Sequence, residues 1–459
     1  MQNIWGIKSK FLEIIYVETR RFKIGVCLFC KHRQKNAVIK GEYMKVTNPF
    51  LEKGSNIESS YQNWSELALK PYDKLTTSPY TKTRIILMNG TEFEANWFMH
   101  QFHRHCKSND IRRELALIRR REQQQQKAIA SLKPLDENVL ETTIAYEQLA
   151  VDLTAALAKH TQDPSVKKAL DFALLEDFDH LYRYSNLLKE EYGIDGAKLV
   201  GEYTEIIPGR PTISEHRYPM DEIKCHICSN TADPFDKLVV NIITGAEQQT
   251  MNYYMNIGNT YPTEKGRKLY TEIGMIEEQH VTQYGSLIDV NCSWLESWLM
   301  HEYVECYLYW SCMQTETDEY IKGVWERHYY EECGHLQHVA KLLQKYEGKP
   351  WQSVFLDGGN FPEPLLLGSN KDYVKEVLKN TVYETACMEG YCPLDKVGND
   401  SKFKWYNDKV NGAVGSVASH VVISDFIKKN GTDYRYEDGE HPVDALRDRK
   451  HDNTQVGRL

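Results

Sequence analysis

An acidic residue followed three positions later by histidine occurs three times in this 459-residue chain, each time with a lone glutamate thirty residues before the acid. Glu147 precedes Asp177 and His180, Glu247 precedes Glu277 and His280, and Glu302 precedes Glu332 and His335. Residues three apart share a face of an α-helix, so each acid and its histidine can aim a carboxylate and an imidazole at one point. The middle of every interval is turn-like: Thr161-Gln162-Asp163-Pro164, Gly258-Asn259-Thr260-Tyr261-Pro262 and Thr315-Glu316-Thr317-Asp318. Folding the chain there leaves about fifteen residues, roughly 22 Å of helix, on each arm, which returns the lone glutamate to the height of the acid and histidine. Each segment is predicted to be an αα-hairpin carrying half of a two-metal site. One Glu-x-x-His is ordinary on a solvated helix face, but histidine is only 16 of 459 residues, and three copies in one register are not a product of composition.

Two such halves supply a Glu from each of two helices and Glu-x-x-His from two others, the ligand set of carboxylate-bridged di-iron or di-manganese bundles. Through Gly245-Ala246-Glu247-Gln248-Gln249, Ile276-Glu277-Glu278-Gln279-His280-Val281, His301-Glu302-Tyr303-Val304-Glu305 and Glu331-Glu332-Cys333-Gly334-His335, the chain resembles the ferritin-like superfamily, in the style of rubrerythrin-like proteins, over about 136–347. The resemblance implies an all-α, ferritin-like helical bundle holding two iron ions, with manganese as the alternative. It implies redox chemistry with peroxide or dioxygen, and equally admits non-catalytic iron binding or storage; a metal-free helical scaffold is the competing reading. No catalytic side chain is expected beyond the metal ligands.

Three hairpins are one more than a bundle needs. Pairing the second with the third gives the strict set Glu247, Glu277, His280, Glu302, Glu332 and His335 across a short connection at Asn291–Ser293, and this is the expected arrangement. In it Glu247 and Glu302 are terminal ligands, Glu277 and Glu332 bridge, and His280 and His335 cap one metal each. Pairing the first with the second instead uses 194–235 as a crossover and substitutes Asp177 for a glutamate. Glu305, one turn beyond Glu302, is a candidate extra ligand that moves between metals, as are Glu147, Asp177 and His180 if the first hairpin takes part. Tyr184, Tyr284, Tyr254 and Tyr309 each stand two turns from a ligand, where a phenol can hydrogen-bond to the ligands or simply fill the core.

A formal charge of −9 argues against nucleic-acid or anionic-membrane binding, and no run approaches the length and apolarity of a membrane span. The N-terminus lacks a secretory h-region, so the expected location is cytoplasmic. Homo-oligomerisation stays open. Eleven cysteines form no small-domain disulfide framework, and reduced thiols are expected. The pairs Cys27/Cys30 and Cys225/Cys228 are too far apart in sequence to read as a rubredoxin-like iron site, leaving the electron donor as another protein or a small molecule.

The remaining chain divides into a basic segment 1–43, with Met44 as an alternative start; an irregular region with a polar linking helix, 44–135; the bundle, 136–347; and a helical C-terminal region with a mobile tail, 348–459. Within the second, Arg84–Met88 is predicted as a short strand and 109–132 as a polar helix bridging domains or meeting a partner. His100, His103, His105 and Cys106 do not share one helix face. Segment 194–235, with four prolines, is the expected lid. Helices are predicted at about 371–388 and 402–429.

Overall fold

The computed structural model describes residues 47–431 and 441–446; segment 1–43, with Cys27, Cys30 and the alternative start at Met44, and the end of the tail lie outside the described residues. The described chain is mostly helical. Eight of its helices are 22 to 29 residues long: α1 (Pro79–His105), α2 (Asn109–Ala130), α3 (Val139–His160), α4 (Pro164–Tyr192), and then, after the short α5 (Gly196–Leu199) and α6 (Thr212–Glu215), α7 (Pro234–Thr260), α8 (Glu264–Ser286), α9 (Trp294–Thr315) and α10 (Glu319–Glu347). They pack as successive pairs, α1 with α2, α3 with α4, α7 with α8 and α9 with α10. No helix among the described residues is long and apolar enough to cross a membrane.

The helix boundaries expose an internal repeat. Pro79–His105 and Pro234–Thr260 begin and end 155 residues apart, as do Val139–His160 and Trp294–Thr315, and Pro164–Tyr192 and Glu319–Glu347. The stop and start chemistry repeats with them. Asn138 and Ser293 form capping boxes with Glu141 and Glu296, Asp163 and Asp318 cap the next helices, and Gly193 and Gly348 end those helices at φ 69°. The copies meet where α1 crosses α7. A Cβ on Gly90 would fall 2.8 Å from Gln249, and one on Gly245 would fall 3.5 Å from Glu94; under the shift of 155 these are the same contact.

Each copy opens with a strap of irregular chain. The first lies across α10 and α2: a Cβ on Gly54 would come 2.5 Å from the Gly334 nitrogen, and Gln62 N–H donates to Gln124. The second lies across α4 and α8: Gly209 N–H donates to Asp179, and Arg217 N–H donates to Gln279. Within segment 194–235, residues 204–217 are therefore a packed strap, with Arg210 and Arg217 fully buried, while Pro219, Met220 and Ile223 beyond it are exposed.

Four sequence expectations are corrected. Arg84–Met88 is an interior turn of α1, all five residues buried, because the bundle begins at Pro79 and not near 136. The polar helix is α2, and it does not bridge domains: Arg121, Glu122, Gln124 and Gln125 face inward. Beyond α10, the helix predicted to 388 stops as α11 (Lys371–Thr381), and β1 (Glu384–Cys387) pairs antiparallel with β2 (Gly390–Pro393) around Met388 at φ 51°. The helix predicted over 402–429 is two, α12 (Lys402–Val410) and α13 (Ala418–Asn430), separated by Gly412 at φ 56°.

Candidate metal centres

The six residues of the strict set do not meet at one site. Glu247, Glu277 and His280 join the first hairpin, while Glu302, Glu332 and His335 join a hairpin absent from the sequence expectation, α1 with α2. The reason lies in the helix faces. Tyr254, two turns past Glu247 on α7, donates to Glu147 Oε1 at 2.5 Å, whereas Tyr309, two turns past Glu302 on α9, donates to Glu92 on α1. The short α8–α9 connection joins helices that serve different centres.

In the first centre, ligand atoms of Glu147, Asp177, His180 and Glu277 lie within 4.8 Å of one another, as do those of Asp177, Glu247, Glu277 and His280. Asp177 and Glu277 belong to both groups, the placement a bridging carboxylate needs. All six residues are at most 1% exposed. His180 Nδ1 is 3.0 Å from Glu277, and His280 Nδ1 is 3.2 Å from both Asp177 and Glu277 and 3.6 Å from Glu247. His280 Nε2 donates to Glu176 Oε2 at 2.6 Å, and Arg217 grips both Glu176 oxygens at 2.7 and 2.9 Å. That second carboxylate fixes the ring so that Nδ1 points into the cluster.

In the second centre, Glu122, Glu302, Glu332 and His335 form one group and Glu92, Glu122 and Glu305 another. His335 Nδ1 is 2.8 Å from Glu122 and 3.0 Å from Glu332, and Trp298 donates to Glu302 at 2.6 Å. Glu92 and Glu122 stand thirty residues apart, like the other pairs, but the position three after Glu122 is Gln125, so the fourth copy of the phrase lacks its histidine. Gln125 donates to Glu332 and to Glu331, and Arg121 pairs with Glu331 at 2.6 Å. Glu331 thus stands to Gln125 as Glu176 stands to His280.

The other candidates go elsewhere. Tyr184 and Tyr284 are buried with unpartnered hydroxyls. His103 accepts from Arg112, His105 turns to the Gln101 carbonyl, and Cys225 and Cys228 are exposed, with Cys225 on Glu389.

Electrostatics makes both clusters costly without a cation. Burial, then the neighbouring Glu247, pushes Asp177 up to about 7, and burial, then Glu122, does the same to Glu332. Glu147, Glu277, Glu92, Glu302 and Glu305 are pushed well above the carboxylate range by burial and by one another. Burial would lower His280 and His335, but the surrounding carboxylates carry both well above the ordinary imidazole range. Burial and then Arg183 hold His180 low. Against its burial, Arg217 holds Glu176 low, so this carboxylate stays charged outside the cluster. Apart from the clusters' own His280 and His335, no N–H or O–H donor reaches either oxygen of Asp177, Glu247, Glu122 or Glu305. Buried carboxylate oxygens without donors are rare because each costs desolvation with no return, so these groups fit a metal ion that would occupy the space between them. Comparison with protein-family models, with curated proteins and with solved structures returns no match.

Proposed function

We propose that this protein is a di-metal carboxylate redox protein with a ferritin-like bundle, holding iron, with manganese as the alternative, and reacting with peroxide or dioxygen. The observation that carries the reading is the convergence of buried, donorless carboxylate oxygens and inward-facing imidazole nitrogens in two places related by the repeat. The expectation of two ions per chain becomes four. Four carboxylates in the first centre match the charge of two divalent ions. Bound iron would supply the electrons exchanged with the oxidant and take the place of a side-chain acid or base.

The chain's own part is arrangement. Asp177 and Glu277 would be shared between the two ions of the first centre and Glu122 between those of the second, since these are the residues common to both groups of their centres. Arg217 and Glu176 hold the His280 ring, and Tyr254 and Tyr309 hold Glu147 and Glu92. The surrounding helices and straps keep bulk water from the ligands.

Metal analysis by mass spectrometry after anaerobic iron loading, with optical spectra before and after peroxide, tests the reading. About four irons per chain and rapid oxidation with turnover on a supplied reductant are expected. Iron that binds but does not turn over would leave a storage protein, and no bound iron would leave a scaffold.

A further inference from the structure

The repeat relates the two centres; Asp177 answers to Glu332, one carboxylate for another, but the kind of donor differs at two positions. Shifted by 155, His280 corresponds to Gln125, and Glu305 corresponds to Ala150. In the first centre each group of ligands contains one histidine, His180 or His280. In the second only one group does; the other, Glu92, Glu122 and Glu305, is carboxylate alone. Glu305 is 1% exposed and neither of its oxygens receives a hydrogen bond; one oxygen of Glu92 is likewise unpartnered, and Glu122 is approached by His335 of the neighbouring group. These are buried acceptors whose oxygens lie within 4.8 Å of one another.

Among the described residues no histidine joins that group. Gln125 spends its amide N–H on Glu332 and Glu331, and its oxygen is unpartnered, so turning the amide about would add an oxygen donor. His328 is turned to Arg327 and to the edge of Tyr309, at a ring separation of 5.3 Å.

Accepting the two-centre reading above, we propose that the Glu92, Glu122 and Glu305 position is a manganese position, and that the second centre is a mixed-metal one with iron at the His335 position. Imidazole donors favour iron over manganese, whereas an all-oxygen set removes much of that preference and suits the harder ion. Loss of the histidine and gain of Glu305 then form a single exchange. A nitrogen donor was traded for a third negative charge, which compensates the affinity lost with the imidazole.

The test is a competition. Metal-free protein is equilibrated anaerobically with fixed iron(II) and rising manganese(II), and bound metals are counted by mass spectrometry and manganese electron paramagnetic resonance. The first manganese to enter is expected to plateau at about one per chain beside about three irons. In Glu305→Gln that manganese should fall about tenfold or more while the irons of the first centre remain, which also shows the variant is folded. Gln125→His should keep the total and replace the manganese by iron. Manganese spread evenly over all positions, or retained in Glu305→Gln, overturns the assignment and leaves the two-centre reading standing. A chain that takes up neither metal overturns both.

Discussion

Glu277→Gln separates the two centres thermodynamically. Glu277 lies in both ligand groups of the first centre and in neither group of the second, so its loss should remove two ions and leave two. An ion present at a hundredfold its dissociation constant stabilises the folded state by about 2.7 kcal/mol, so one full centre contributes about 5 kcal/mol. For a chain this long, each kcal/mol moves the melting temperature by roughly 1–2 °C, so each centre should account for roughly 5–10 °C of the rise seen on loading. The metal-free protein should hardly notice the change. The hydrogen bond between Glu277 and His180, 3.0 Å long, is worth about 1 kcal/mol net, and its loss is offset by relief of crowding with Asp177, Glu147 and Glu247. Calorimetry with and without metal should therefore show Glu277→Gln keeping about half of the metal-induced rise, Glu122→Gln keeping the other half, and the double variant keeping none. A Glu277→Gln protein with the whole rise, or with none of it, would refute the assignment of Glu277 to a separate first centre.

Metal-free stability should fall as pH rises. Asp177 and Glu332 have folded pKa values of about 7, above their unfolded values, so the stability they contribute is complete at low pH and is lost as pH climbs through about 7. His180, held low, works in the opposite direction only below its unfolded pKa of about 6.5, whereas His280 and His335, carried above that value, add to the loss, so scans between pH 6.5 and 8.5 read the carboxylates together with these two imidazoles. Melting should drop across that window without metal, and metal uptake should release protons and tighten; a flat profile would contradict the raised values. Arg217→Met leaves Glu176 with His280 and with Arg210 as its one remaining guanidinium, 4.0 Å away, and should cost about 3–5 kcal/mol in chemical denaturation. It should also weaken metal at the first centre about 10–100-fold and spare the second, as read by equilibrium metal titration. Gly54→Ala places a methyl 2.5 Å from the Gly334 backbone nitrogen and should lift the first strap, a loss of about 1–3 kcal/mol in urea.

The hairpins were legible because a ligand phrase of fixed length survives in residue identity: Glu at thirty before the acid, His at three after, with Asp163-Pro164 or Asp318 marking the fold-back. The fourth hairpin was hidden for a chemical reason. Its histidine is Gln125, and its helix carries Arg121, Glu122, Gln124 and Gln125 inward, so a wall of the bundle has the composition of a solvated surface. The period of 155 was equally faint, because matched positions such as Met88 and Ile243 share burial more than identity; Pro79, Lys82, Gly90 and Glu92 against Pro234, Lys237, Gly245 and Glu247 are the traces that remain. Pairing was not legible at all. It is decided by which face of α7 meets α3 and which face of α9 meets α1, contacts between residues more than a hundred positions apart, and loop length says nothing about them.

The topology explains how one centre could change while the other kept two histidines. Each centre takes one hairpin from each copy: α3 and α4 with α7 and α8, or α1 and α2 with α9 and α10. Neither copy holds a complete ligand set, so neither can be deleted or left to unfold without dismantling both centres. A substitution inside one hairpin, however, reaches only one of them, because each ligand faces a single centre. Gln125 and Glu305 sit on different copies, yet both lie in the second cluster, Glu305 beside Glu92 and Glu122 and Gln125 on Glu332. An interlocked duplication of this kind holds the scaffold fixed and leaves the donors free to vary one centre at a time.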